Sequence, residues 1–254
     1  MQNLLFEHPL NERTRTLLRI SHLFEQFEYH LAASSAWQSR GAIQALLEIA
    51  SILSRADLKS EMIKQLDQHA RTLEAMALNP DVDQRRLRRV LEDIATTGER
   101  LHAVDGQLGN HLRKNEFLNS IAQRLPIPGG SFEFDLPQYH YWLHLPHETR
   151  ARELDGWRRE IAVVQDAVEL LLGLLRNSSV PREMTASRGI YQKSLDPQRP
   201  VEMIQVSIEP TLGLFAEISG SKHRFCVRFM KTQPQERPSA TEQDVPFKLK
   251  TCVI

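Results

Sequence analysis

The sequence predicts an α+β fold, a predominantly helical domain packed with an antiparallel β-strand domain, with the chain crossing between them more than once. Three observations predict it. Apolar residues recur at three- and four-residue steps through much of the chain before Ser178, the period of amphipathic helices. After Ser178 the period changes to two, in short runs separated by proline, glycine or polar turns. Two alternating aromatic segments, near Phe132 and Tyr139, precede the last helical stretch, so strand and helix are interleaved along the chain.

Each element has a local reason. From Asn11, a good cap, Leu17, Ile20, Phe24, Phe27 and Leu31 form the first apolar stripe. Ile43, Leu46, Leu47, Ala50 and Leu53 form a second. A third starts at Asp57, carries Leu58, Met62, Leu66, Leu73 and Met76, and ends at Asn79-Pro80, since a residue before proline is pushed out of the helical region. Leu87, Val90, Leu91 and Ile94 make a fourth, expected to stop near Gly98. A fifth follows Asn110 through Leu112, Leu118, Ile121 and Leu125. Pro126-Ile-Pro-Gly-Gly130 then breaks the pattern. Phe132, Phe134 and Leu136 alternate as a strand, and Tyr139–Leu145 reads as a second. One long amphipathic helix is predicted over about 148–176, through Trp157, Ile161, Val164, Val168, Leu171, Leu172 and Leu175. Strands follow near 189–195, 201–208, 213–217, 224–231 and 245–253. The polar stretch 232–244, with Pro234 and Pro238, reads as an exposed loop.

The totals exclude several classes. In 254 residues, 32 basic and 32 acidic side chains cancel, so no global field draws the protein to nucleic acid or membrane, and electrostatic recognition has to be local. Two cysteines, Cys226 and Cys252, cannot build a disulfide framework or a cysteine metal cage. No run of about 18 apolar residues occurs, so no membrane insertion is expected. The absence of an apolar leader behind Met1-Gln2-Asn3 leads to the cytosol as the expected compartment.

No motif of an enzyme emerges. His140 and His144 have the spacing of a metal-binding helix, but the glutamate that such a site uses as general base is missing and no third ligand is nearby. Cys226 lies beside two arginines, which lower a thiol pKa, yet it has no partnered base. A non-enzyme with no cofactor is expected. Gln84-Arg-Arg-Leu-Arg-Arg89 is the densest basic run; on a helix its arginines spread around the circumference while Leu87 faces inward. An alternative reading is therefore a nucleic-acid-binding adaptor that uses such surface basic patches.

The segment 218–231 carries the clearest local asymmetry. After a turn at Gly220-Ser221, Phe225, Val227 and Phe229 fall on one face of a strand. Lys222, Arg224, Cys226, Arg228 and Met230 fall on the other, and no acidic residue within the segment neutralises them. An anchored apolar face backed by a cationic face suits an anionic ligand.

These pieces also carry a resemblance. Leu5-Phe-Glu-His-Pro-Leu-Asn-Glu12 before an arginine-bearing helix, Ile127-Pro-Gly-Gly130, Phe134-Asp-Leu-Pro137 with Trp142-Leu-His-Leu-Pro146, and Ile218-Ser-Gly220 leading to Arg224-Phe and Arg228-Phe-Met230 together resemble the ZapD family of bacterial cell-division proteins. The resemblance spans essentially the whole chain. It implies a cytosolic, non-enzymatic homodimer that acts at the mid-cell division site. There it binds the C-terminal tail of the tubulin-like GTPase FtsZ and bundles or cross-links FtsZ filaments to promote Z-ring assembly and septation. It further implies a helical domain over 1–115 plus 147–177 and a β-strand domain over 116–146 plus 178–254. A tail with acidic and apolar residues needs cations and an apolar surface. Arg224, Arg228 and Lys222 are the first expectation for that site, with Arg19, Arg113 and His140 as second contributors.

Overall fold

The computed structural model describes residues 3–55, 57–77, 79–232 and 237–254. The chain divides into two compact units, Leu17–Leu171 and the pair Met1–Thr16 with Leu172–Ile254. The divisions fall inside the first and last helices, so a helix period alone does not mark them.

The unit Leu17–Leu171 is helical. Its helices are α1 (Glu12–Leu31), α2 (Ala36–Leu53), α3 (Leu58–Ala75), α4 (Gln84–Ala103), α5 (Asn110–Lys114), α6 (Glu116–Arg124), α7 (Pro137–Leu143), α8 (His147–Glu160) and α9 (Ala162–Arg176), with α1 and α9 running beyond its limits. The stripes read from the sequence supply much of the core: Ile20 and Phe27, Ile43, Leu46 and Leu53, Met62 and Leu66, and Leu87 and Ile94 are all nearly or wholly buried, and Ile49 and Leu101, outside those stripes, join them. Side chains start four of the described helices, α2 through Ser35, whose hydroxyl accepts from the Gln38 amide at 3.2 Å. Asn11 accepts from the Thr14 amide at 2.8 Å, Asp83 from the amides of Arg85 and Arg86 at 2.9 and 3.1 Å, and Asn115 from that of Leu118 at 3.1 Å.

Several sequence expectations are corrected here. The helix through Leu87 does not stop at Gly98 but continues to Ala103. The fifth stripe is two helices, because Asn115 leaves the helical region and caps the second. The long stretch before Ser178 is also two, since Ile161 (φ −116°, ψ 11°) breaks the ladder while its side chain stays in the core. Phe132–Leu136 forms turns, not a strand, and Phe132 and Phe134 are exposed. Tyr139–Leu145 lies largely in helix α7, which starts with Pro137 at its first position, where a missing N–H costs nothing. The segment 116–146, expected among the strands, thus carries α6 and α7, and it belongs to the helical unit.

The guanidinium of Arg150, at the start of α8, is buried in this unit. It donates to the carbonyl oxygens of Ser34 (2.6 Å), Leu143 (3.1 Å) and Leu145 and to Oγ of Ser39 (3.0 Å). It therefore ties the start of α2 and the end of α7 to α8.

The other unit is a two-layer β-structure. Its strands are β1 (Leu4–Pro9), β2 (Arg182–Ala186), β3 (Ile190–Ser194), β4 (Val201–Ile208), β5 (Leu214–Gly220), β6 (Arg224–Lys231), β7 (Ser239–Ala240) and β8 (Val245–Val253). One sheet has the order β1-β4-β8-β2; the other has the order β3-β6-β5, with β7 also pairing β6, and every pairing is antiparallel. Strands β1 and β2 were not read from the sequence, and β7 lies in the predicted loop 232–244; Pro234 of that loop falls outside the described residues.

The core of this unit joins the two sheets. Ile204, Val206, Ile208, Phe247 and Leu249 of the first meet Phe225, Val227 and Phe229 of the second, with the rings of Phe229 and Phe247 5.1 Å apart. The apolar face expected for β6 is therefore observed. Met230 departs from the alternation: it is buried, flanked by Phe215 of β5 and Ala240 of β7. Gly189 (φ 73°) has to be glycine, because a Cβ there would meet the Thr241 carbonyl oxygen at 2.4 Å.

Candidate functional site

The outer face of the β3-β6-β5 sheet is built from three aligned strands. Antiparallel register sets Ser194 opposite Arg224, Gln192 opposite Cys226, and Ile190 opposite Arg228; on the other side Ser219 faces Cys226 and Glu217 faces Arg228. Since alternate residues share a face, Arg224, Cys226 and Arg228 point outward while Phe225, Val227 and Phe229 hold the strand from behind. At the Arg224 end the surface dips into a cleft of about 560 Å³, lined by Gln192, Lys193 and Ser194 from β3, Ser219, Gly220 and Ser221 from the β5–β6 hairpin, and Arg224 with its β6 neighbours. The hairpin is tight: the Ser221 amide donates to the Arg224 carbonyl at 2.9 Å, and a Cβ at Gly220 would meet Leu10 at 2.6 Å.

The two arginines differ in electrostatics. No carboxylate pairs with Arg224 or Lys222 among the described residues, so the cleft is lined by cations and hydroxyls. Arg228 lies 3.4 Å from Glu217, an exposed cross-strand pair. Such pairs contribute roughly 0.2–1 kcal/mol, so an incoming carboxylate can displace Glu217 at small cost. The two guanidinium roots are about 13 Å apart along the strand, four residues at the extended rise. An extended anionic segment can therefore meet both.

The second group of candidates lies in the helical unit, at three separate places. Arg19 lines a groove with His22 of α1 and with Glu48, Ser51 and Ile52 of α2. Arg113, on α5, donates to the Gln107 side chain at 2.5 Å. His140 is exposed on α7, 3.5 Å from Glu133 and with its ring 4.4 Å from that of His144; both histidines rim a groove that includes Trp37 and Arg40 of α2. The basic run of α4 exposes Arg85, Arg86, Arg88 and Arg89 and buries Leu87, a solvated helix face. No described helix is long and apolar enough to cross a membrane.

Sequence comparison decides the family. The profile of ZapD, described as a cell division protein, matches residues 18–228. Cell division protein ZapD of Methylococcus capsulatus is 41% identical over 251 residues, covering 99% of this chain and 98% of that relative. The ZapD proteins of Ralstonia pickettii and Nitrosomonas eutropha are 39% and 34% identical, each over 98% of this chain and 99% of the relative. The chain belongs to the ZapD family.

Membership in the ZapD family gives a role in cell division. The profile match extends from α1 to Arg228, so it takes in nearly all of the helical unit and the strands β2 to β5 with β6 as far as Arg228. The sequence places Arg224 and Arg228 on this face but not its walls, and Lys222, expected on the same strand face, lies in the turn before β6. Ser194, Gln192 and Glu217 join it through strand register alone, and no local pattern marks them. The hydroxyl-rich Ser219-Gly-Ser221 turn was the one signal within reach.

Proposed function

We propose that this ZapD-family chain is a receptor for the C-terminal tail of FtsZ and a cross-linker of FtsZ filaments, acting as a homodimer in the cytoplasm at the division site. One observation carries the reading: an outward cationic face on β6, with an uncompensated Arg224 and a weakly paired Arg228, is backed by a fully packed core. Arginine holds a carboxylate by two parallel hydrogen bonds, and the side chain is already fixed at its root by the sheet. Lys222 at the hairpin tip adds a long-range steering charge. Arg19, Arg113 and His140 are assigned to secondary contacts with the same polymer.

Cross-linking needs two sites in one particle. A twofold dimer presents two copies of the β6 face, and weak tail contacts repeated along a filament sum to firm attachment. The reading needs no catalytic group and no cofactor.

The deciding experiment measures the anisotropy of a labelled FtsZ tail peptide together with filament co-sedimentation. Arg224→Ala with Arg228→Ala should weaken binding about tenfold or more while the unfolding temperature stays within a few degrees, and added salt should reproduce the loss. A folded double variant that binds and bundles like the parent would overturn the assignment.

A further inference from the structure

The helical unit holds a second recognition feature of the opposite polarity. The rings of Phe117 and Trp157 stack at 5.9 Å and 27°, and Trp142 completes a triangle at 5.7 and 6.1 Å from them. This cluster forms the wall of a cleft of about 610 Å³ between α6, α7 and α8. Glu153, Gly156, Trp157 and Glu160 line it from one face of α8, following the i, i+3, i+4, i+7 spacing of a helix.

Three properties of the cleft point to one kind of ligand. The first is uncompensated negative charge. Neither Glu153 nor Glu160 forms an ion pair among the described residues, although Arg158 and Arg159 on the same helix both pair with Asp155. Glu153 is held at the wall by the Trp142 Nε1–H, which donates to Oε2 at 2.7 Å and leaves Oε1 open.

The second is the aromatic wall itself, whose ring faces attract cations. The third is Gly156. A glycine inside a helix is less stable than alanine by roughly 0.5–1 kcal/mol, and here no packing demands it, because a Cβ would meet nothing within 4 Å. Its effect is to keep the floor of the cleft clear.

We propose that this cleft receives the protonated side chain of a lysine or arginine presented by a partner peptide. A cation gains from the ring faces and from the negative field of two carboxylates set two turns apart on α8; an anion meets repulsion, and a neutral apolar group would desolvate the carboxylates without return. A peptide rather than a free amine fits the rim, where the side-chain amide of Gln138 offers a donor and an acceptor to a backbone. The site shares no residue with the Arg224 cleft and does not depend on the tail-receptor reading.

The three tryptophans, Trp37, Trp142 and Trp157, give three indole N–H signals for a test by NMR on the full chain. Acetyl-lysine methylamide should shift the Trp142 and Trp157 signals with saturation and leave Trp37 in place. Acetyl-norleucine methylamide, which lacks the charge, should shift neither. Glu153→Gln with Glu160→Gln keeps the acceptor for Trp142 and should weaken binding about fivefold or more. Gly156→Leu fills an open space, should leave the helical circular dichroism unchanged, and should abolish binding. Equal shifts from the norleucine probe, shifts that never saturate, or indifference to both variants would overturn the proposal. Saturable binding of spermidine without binding of the lysine probe would overturn the peptide assignment.

Discussion

The guanidinium of Arg176, in the last turn of α9, grips the carboxylate of Glu7 on β1 with two bonds of 2.9 and 2.8 Å. The Gln205 side chain of β4 donates to the same carboxylate at 2.6 Å, and Lys250 of β8 donates to the Arg176 carbonyl at 2.5 Å. One helix end is thus bound to β1 and β4 through a single carboxylate and to β8 through its own carbonyl oxygen. Burial pushes the Glu7 pKa up, but the bonds from Arg176 and Gln205 and the charges of Arg176 and Lys250 outweigh it, so it lies below its ordinary value of 4.5.

Because the folded pKa of Glu7 is depressed, its contribution is fully present above about pH 4.5 and is lost as pH falls through the folded value. Glu7→Gln should lower stability at pH 7 by about 1–3 kcal/mol, since Arg176 loses its charged partner. The deficit should shrink toward pH 3. Urea denaturation at both pH values checks this, and a deficit independent of pH would contradict it.

His69 on α3 is buried, and loss of hydration pushes its pKa down from 6.5 to about 4. The unfolded chain binds a proton there between those values and the folded chain does not, so stability is constant above pH 6.5 and falls as pH drops to 4. The loss is on the order of 3 kcal/mol. His69→Gln should flatten the denaturation profile across that window, and an unchanged slope would exclude His69 as its source.

Arg150 is a buried cation held by carbonyl oxygens and a hydroxyl, with no ion pair among the described residues. Arg150→Met should cost about 3 kcal/mol or more, because it strands several buried acceptors at once. Arg150→Lys should recover only part, as a point charge cannot span the same directions. Equal urea midpoints for the two variants would show that the fork geometry is irrelevant.

The thiols should differ sharply in access. Cys226 is partly exposed on the outer face of β6, where the Gln192 amide approaches its sulfur at 3.7 Å. Cys252 is fully buried, and burial pushes its pKa up to about 11. A chromogenic disulfide reagent at pH 8 should titrate one thiol per native chain and two after denaturation. Two fast thiols in the native protein would contradict the packing of β8.

The legible parts of the fold were those where one local pattern sufficed. The stripes of α1 to α4 and the alternation of β6 put the right side chains in the core. The break at Ile161 was invisible because the apolar period runs through it without proline or glycine. Aromatic β-propensity misled at Tyr139–Leu143, where Pro137 was the better signal, since it starts a helix as readily as it breaks one. Strands β1 and β2 sit at the two edges of their sheet and are short, so they lack the alternation of a central strand. The candidate face was half legible for the same reason: Arg224 and Arg228 alternate along one strand, whereas Glu217 reaches Arg228 only across the ladder.

The pairing of β1 with β4 has a consequence for how the chain is made. Leu4–Pro9 leaves the ribosome roughly 200 residues ahead of its partners at 203–208. At usual elongation rates that interval is on the order of ten to forty seconds. The helical unit, one uninterrupted stretch of chain, can settle during the wait, while β1 remains an unpaired edge until β4 emerges. The sheet then still lacks β8, the strand that joins β4 to β2. Synthesis order therefore lets this sheet close only after the helical unit, and a nascent chain stalled before Val245 carries an open sheet edge that invites pairing with a neighbour.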